Sequence, residues 1–141
     1  NKDLGYAIKL YSNGGNGGIG GHGGNGGDGK DGRLKDEKKK PAGDAGNGGN
    51  GGNGGNGGNG GAIFVFIHPS AQGIEERIVA FSNAGSAGIG GNAGQAGEKG
   101  VPLEGEAAAA DGTNGEPGLI GTVGEAGPNI EIIVEPFDID F

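Results

Sequence analysis

Residues 47–61 read NGGNGGNGGNGGNGG, five Asn-Gly-Gly triplets in succession. A period of three matches neither the 3.6-residue turn of an α-helix nor the two-residue alternation of a strand. It matches the left-handed helix of the polyproline-II type, which has three residues per turn and no internal hydrogen bonds. Every third residue of such a helix lies on one edge, so a glycine edge lets a neighbouring backbone approach closely. Because the amides must pair with neighbours or with water, this stretch predicts one member of a packed bundle.

The triplet period extends over four glycine-rich runs, numbered in chain order. They cover residues 13–32 (run 1), 43–61 (run 2), 83–100 (run 3) and 110–127 (run 4). Runs 1 and 2 carry mostly two glycines per triplet, run 3 has alanine at most middle positions, and run 4 keeps one glycine. We therefore expect runs 1 and 2 inside the bundle, run 3 in a slightly wider contact, and run 4 outside. The glycines predicted to pack helix against helix are Gly48, Gly49, Gly51, Gly52, Gly54, Gly55, Gly57 and Gly58.

Four apolar segments flank the runs and have the composition of strands. They are rich in Ile, Val and Phe and are bounded by Gly, Asn or Pro, and they cover residues 6–11, 62–68, 77–82 and 130–141. The order strand, run, loop, run, strand occurs twice, which predicts one domain, 1–141, made of the halves 1–68 and 69–141. The strands are expected to form one four-stranded layer. The loops are expected at residues 34–42, 69–76 and 101–109.

The four runs together resemble the polyglycine-II bundle, found in springtail antifreeze proteins, phage tail-fibre tip adhesins and the glycine-rich amino-terminal domain of Obg-type GTPases. The resemblance covers roughly half of the chain. It implies a mainly non-α fold, a bundle of about four polyglycine-II or polyproline-II-type helices capped by a short four-stranded β layer. It specifies no activity, because these proteins have unrelated functions on one scaffold. The chain lacks the cysteines of the antifreeze proteins and the P-loop of the GTPases.

The composition excludes several functional classes. Glycine accounts for 40 of the 141 residues, cysteine is absent, and the net charge is −8. Without cysteine there are no disulfides or thiolate metal sites, and the negative charge argues against non-specific nucleic-acid binding, which depends on Lys and Arg. No stretch approaches the roughly 20 apolar residues of a membrane span. Asn1 in place of an initiator methionine indicates a processed or excised chain.

Few residues suit catalysis or cofactor binding. His22 is the first residue of a triplet and is expected to point into solvent, and His68 is expected to be a turn residue. The sequence has no nucleophile elbow, and no strand-to-helix turn frames its Gly-x-Gly-x-x-Gly matches. Asp28, Asp31 and Asp44 offer oxygen ligands for Ca²⁺, but no calcium-loop spacing supports such a site. We therefore predict no catalytic residue, no cofactor and no metal site.

The apolar segments offer more β surface than one small sheet can bury. Residues 62–67 show no polar alternation, which predicts a strand covered on both faces. The tail, residues 137–141, either folds back on its own sheet or pairs with another chain, because an unpaired apolar edge favours strand addition. The residues predicted to mediate self-association are Ile63, Phe64, Val65, Phe66, Ile67, Ile133, Phe137, Ile139 and Phe141.

Three non-enzymatic functions fit these features. The first is a structural or assembly subunit of an extracellular fibre, filament or surface structure, at the cell or virion surface, whose partners are further copies of itself. The second is a receptor-binding adhesin tip for a surface glycan or protein receptor, although the loops contain no aromatic residue. Within them, residues 35–40 form either a solvated tip or an adhesive patch for an anionic surface. The third is ice binding, which requires a flat and regular face.

If the runs form a bundle, substitutions at adjacent positions of run 2 should differ in their effect on the free energy of unfolding. Gly54→Val should lower the free energy of unfolding by on the order of 1–3 kcal/mol, because a side chain overpacks a bare edge. Asn53→Ser should be nearly neutral on the same reasoning. Thermal unfolding measures both, and equal losses at the two positions would contradict the bundle.

Overall fold

The structure is a computed structural model that describes residues 6–136. Within that range there is no α-helix, and regular structure is confined to short strands and two 3₁₀ turns, Pro69–Ala71 and Glu75–Arg77. The strands are β1 (Ile8–Tyr11), β2 (Arg33–Lys35), β3 (Lys38–Lys40), β4 (Phe64–Ile67), β5 (Ile78–Phe81) and β6 (Glu131–Val134). The predicted mainly non-α fold with short strands is thus confirmed.

The chain divides into two compact units, and each glycine-rich run contributes a segment to both. The strand unit comprises Asn1–Gly17, Asn56–Ala87 and Thr122–Phe141, and it contains β1, β4, β5 and β6. The hairpin unit comprises Gly18–Gly55 and Gly88–Gly121, and it contains β2 and β3.

In the hairpin unit, backbone hydrogen bonds join the run segments at every third residue. Run 1 donates to run 3 in parallel register, from Gly20 N to Ile89 O at 2.8 Å and onward. Run 2 donates to the antiparallel run 1 and to the parallel run 4. Run 3 donates to run 2, and run 4 donates to run 3. The glycine amides thereby find the partners that an extended chain cannot supply internally.

The order of neighbours in this unit corrects the expected placement of the runs. Runs 2 and 3 each bond to three other runs, whereas runs 1 and 4 each bond to two. A Cβ at Gly20 or Gly23 would overlap a carbonyl oxygen of run 2. A Cβ at the next glycine of the same triplet, Gly21 or Gly24, would have no heavy atom within 4 Å. Two glycines per triplet therefore do not indicate an interior run, since one glycine edge of run 1 faces open space.

In the strand unit, two strands pair where the runs next to them in sequence pair. Gly14 N donates to Asn83 O at 2.9 Å, and β1 then lies parallel to β5 with Ile8 opposite Ile78. The segments of runs 2 and 4 likewise lead into β4 and β6, which are parallel with Phe64 opposite Glu131. The expected four-stranded layer is therefore wrong. The described strands of this unit form two separate two-stranded sheets, because each strand continues the hydrogen bonding of its own run.

The segment expected as a loop at residues 34–42 contains an antiparallel hairpin. β2 pairs with β3, with Arg33 opposite Lys40 and Lys35 opposite Lys38. Asp36 and Glu37 form the turn with φ of 50° and 60°, the left-handed conformation that type I′ hairpin turns require at both central positions. Sequence reasoning missed this hairpin because lysine is depleted in strands.

Gly23→Ala and Gly24→Ala form a matched pair of neighbouring substitutions in run 1. A Cβ at Gly23 would overlap Gly49 O, so Gly23→Ala should lower the free energy of unfolding by about 1–3 kcal/mol. Position 24 is open, and Gly24→Ala should leave that free energy unchanged or raise it by about 0.4–1 kcal/mol, since alanine restricts the unfolded chain. Denaturant unfolding measures both. A loss at position 24 as large as at position 23 would contradict the packing.

Candidate functional site

The candidate site is an apolar face of the strand unit, and it begins with the side-chain alternation of β4. Phe64 and Phe66 are 58% and 54% exposed, whereas Val65 is half-buried and Ile67 is only 5% exposed. Successive side chains of a strand point to opposite faces, so one face of β4 is covered and the other is open. The expectation that residues 62–67 are covered on both faces is wrong for this structure.

The covered face of β4 lies beside the other sheet. Val65, Phe66 and Ile67 of β4 line an apolar groove of about 360 Å³ together with Ile8, Leu10 and Ile78 of β1 and β5. The remaining lining residues include the 3₁₀ segment after β4, through Ala71 and Ile74. On β1 and β5, Tyr11 and Phe81 stack with ring centroids 5.0 Å apart. Apolar side chains of the two sheets thus line a shared groove, in which Ile67 is buried and Ile8 stays 40% exposed.

The open face of β4 continues onto β6. Phe66 lies opposite Ile133, and Phe64 lies opposite Glu131. Paired residues share a face of the sheet, so Phe64, Phe66 and Ile133 form one surface, here called the Phe face, with a carboxylate beside it. Ile133 itself is half-buried.

The other residues predicted to mediate self-association are placed elsewhere. Ile63 is half-buried just before β4, and its carbonyl accepts the Glu131 N–H at 3.0 Å. Val65 and Ile67 face the groove. Phe137, Ile139 and Phe141 lie outside the described residues.

All eight glycines predicted to pack lie at contacts between runs. A Cβ at Gly48, Gly51 or Gly54 would overlap a carbonyl oxygen of run 3 in the hairpin unit, and one at Gly57 would overlap Gly85 O in the strand unit. At Gly49, Gly52 and Gly58 a Cβ would lie 3.1–3.2 Å from a backbone nitrogen of run 1. Gly55 N donates to Gly18 O at 2.7 Å.

Sequence reasoning missed a second set of contacts, made by the side chains at the first position of each triplet. Asn53 Oδ1 accepts the Leu119 N–H at 2.9 Å, and its equivalents in run 2 each accept the N–H of the residue 66 positions later. These acceptors are Asp44, Asn47, Asn50, Asn53, Asn56 and Asn59. In run 1 the offset is 70, and the acceptors are Asn13, Asn16, His22, Asn25, Asp28 and Asp31. We call this arrangement the side-chain ladder.

The ladder corrects two expectations. His22 is exposed but not merely solvated, because its Nδ1 accepts the Asn92 N–H at 2.9 Å. Asn53→Ser replaces a ladder acceptor by a shorter side chain. The reason for expecting this substitution to leave the free energy of unfolding nearly unchanged therefore no longer holds. Ile19 has no acceptor to offer the N–H of Ile89 and interrupts the ladder of run 1. The sequence signal was present in the repeated Asn and Asp, but the pairing offset appears only in the folded chain.

The polar residues considered for chemistry have structural partners. Asp28, Asp31 and Asp44 border one groove, and each Oδ1 accepts a backbone N–H at 2.7–2.8 Å. His68 Nδ1 lies 2.8 Å from Ser70 Oγ and accepts the Ser70 N–H, which caps a 3₁₀ turn. Among residues 6–136, no group of three or more His, Cys, Asp or Glu is arranged to hold a metal ion. No helix of the described chain is long and apolar enough to cross a membrane.

Comparisons of this chain with protein-family models, with curated proteins and with solved structures give no match.

The side-chain ladder predicts unequal effects at triplet first positions. Asn53→Ala should lower the free energy of unfolding by about 0.5–1.5 kcal/mol, because the Leu119 N–H loses its protein acceptor. Ile19→Asn should raise it by a similar amount by supplying an acceptor opposite Ile89. Asn92→Ala is the control, since the structure gives the Asn92 side chain no hydrogen bond. Denaturant unfolding of the three variants tests the ladder, and a loss in Asn92→Ala equal to that in Asn53→Ala would contradict it.

Proposed function

We propose that this chain is a non-enzymatic structural or assembly subunit of an extracellular fibre, filament or surface structure, built on a bundle of polyglycine-II-type helices. Two observations support the bundle: hydrogen bonds between runs recur at every third residue, and a Cβ at most inter-run glycines would meet backbone atoms. Both are expected of three-residue helices that have no internal hydrogen bonds.

The observation that carries the assembly function is the exposure of the Phe face. Two phenylalanines of one four-residue strand leave more than half of their surface to solvent. Aromatic side chains contribute much of the free energy of protein interfaces, and contiguous exposed apolar surface marks interaction sites. A second copy that covers Phe64 and Phe66 would bury this surface, with Glu131 at its margin.

The sheet type supports the same conclusion. Parallel sheets occur almost only where both faces are covered, and an isolated two-stranded sheet is marginal in water. The β4–β6 sheet is parallel, two-stranded and open on one face. Addition of a strand or a face from another copy would complete it.

Ice binding has less support from the described surface. The Oδ1 atoms of the ladder asparagines, such as Asn50 and Asn53, accept backbone N–H groups and are not a free array of acceptors. In run 4 the exposed positions mix apolar side chains such as Leu119 and Val123 with carboxylates such as Glu116. A receptor-binding adhesin remains the second candidate, and the charged hairpin of the other unit favours it.

Phe64→Ser combined with Phe66→Ser should weaken self-association by roughly 30-fold or more, because losing one central aromatic of an interface costs about 2 kcal/mol. Sedimentation velocity over a range of concentrations measures the change. Leu119→Ser with Ile120→Ser is the matched control, since it removes two side chains that are 71% and 67% exposed outside the Phe face.

Unfolding curves of the double variants establish that both remain folded. Wild-type protein that stays monomeric at high concentration would overturn the assembly function. An equal loss of association in the Leu119 and Ile120 control would show that general surface hydrophobicity, rather than the Phe face, drives association. Removal of residues 137–141, which tests the tail separately, should also release monomers.

A further inference from the structure

The β2–β3 hairpin collects positive charge on one side of an acidic protein. Residues 30–40 hold six of the ten Lys and Arg residues and only three of the eighteen acidic ones. In an antiparallel pair, opposite residues share a face, and so do residues two apart along a strand. The register therefore places Arg33, Lys35, Lys38 and Lys40 on one face, here called the cationic face, and Leu34 and Lys39 on the other.

The opposite face attaches the hairpin to the rest of its unit. Lys39 Nζ donates to Glu104 O at 3.0 Å and lies 3.7 Å from Glu106 Oε1. The four residues of the cationic face are exposed, and within residues 6–136 none of them forms an ion pair. The contacts of Lys39 thus leave the cationic face open to solvent.

The cationic face is electrostatically unfavourable without a partner. Arg33 lies opposite Lys40 and Lys35 opposite Lys38, and like charges directly opposite each other destabilise a strand pair. The nearest acidic groups in sequence are Asp36 and Glu37 of the turn. Asp28, Asp31 and Asp44 border a groove beside Arg33 and Lys40, so their carboxylates offset the repulsion at that end of the face. The Lys35–Lys38 pair lies away from that groove.

We propose that the cationic face binds a linear anionic polysaccharide through its sulfate or carboxylate groups. The four cations form a two-by-two array, about 7 Å apart along each strand and about 5 Å apart across the pair. A flexible chain with regularly repeated anionic groups matches such an array. This site belongs to the hairpin unit and does not depend on the assembly function proposed for the strand unit.

Other polyanions fit the hairpin less well. The segments of the hairpin unit contain no aromatic residue, so the hairpin has no platform for stacking the bases of single-stranded nucleic acid. Leu34 is 67% exposed but lies on the opposite face, so the cationic face has no apolar group to insert into a membrane. A second copy fits less well, because Asp28, Asp31 and Asp44, the acidic side chains gathered in one groove, border Arg33 and Lys40 of their own hairpin.

Retention of the full chain on immobilised heparin, which is sulfated, and on polygalacturonate, which is carboxylated, tests the proposal. Wild-type protein should be retained on at least one matrix at 50 mM NaCl. Its affinity should fall by roughly 50- to 150-fold by 200 mM, as expected when about four cations release counterions. The matrix that retains it more strongly identifies the anionic group.

Three double variants locate the site. Lys35→Gln with Lys38→Gln should weaken binding at least tenfold, whereas Lys35→Arg with Lys38→Arg should preserve it. Lys9→Gln with Lys99→Gln removes the same net charge from outside the hairpin and should bind like wild type. Thermal unfolding establishes that each variant is folded.

Four results would overturn the proposal. They are no retention of wild type on either matrix, equal losses in the hairpin and control variants, stronger binding to DNA or to phosphatidylserine vesicles than to either polysaccharide, and salt-sensitive self-association that the Lys35 and Lys38 glutamine variant abolishes. The last result would assign the cationic face to a contact between copies.

Discussion

The fold depends on the approach of one backbone to another at distances that a Cβ would not permit. Among residues 6–136 the buried hydrophobic side chains are Ile67 and Ala109, so an apolar core contributes little. Ordering glycine costs more conformational entropy than ordering any other residue. Backbone hydrogen bonds between runs, each contributing about 0.5–1.5 kcal/mol net, must offset that cost in each unit. The side-chain ladder adds further acceptors for the N–H groups at triplet first positions.

The period of the sequence predicted that the runs associate along glycine edges, and backbone hydrogen bonds do join the runs at every third residue in each unit. Gly48 and Gly54 illustrate this, since each would place a Cβ on a run 3 carbonyl. The order of neighbours was not predictable in the same way. Composition suggested an interior position for run 1, yet the second glycine of its triplets faces open space. Which runs adjoin is decided by hydrogen-bond pairing over long sequence separations, which no local pattern reports.

The candidate site was predictable in part. The apolar character of residues 62–67 predicted a strand covered on both faces, whereas Phe64 and Phe66 are exposed because β4 and β6 form a separate two-stranded sheet. The β2–β3 hairpin had no apolar alternation to mark it, and its register alone reveals that four cations share a face. The ladder likewise depends on offsets of 70 and 66 residues, which are set by all the runs, strands and loops that lie between the paired residues.

The fixed ladder offsets restrict how the length of such a chain can change. A single-residue insertion within run 3 would move every later first-position N–H away from its acceptor in run 1 and bring a side chain onto a glycine edge. Insertion of a whole triplet keeps glycine at every third position of that run. It still shifts the hydrogen-bond partners of that run in all adjoining runs by one triplet. Length can therefore vary without loss of pairing only through coordinated additions of triplets to all four runs, or within the loops that connect them. The matched lengths of the runs are thus a requirement of pairing and not a by-product of repeat duplication.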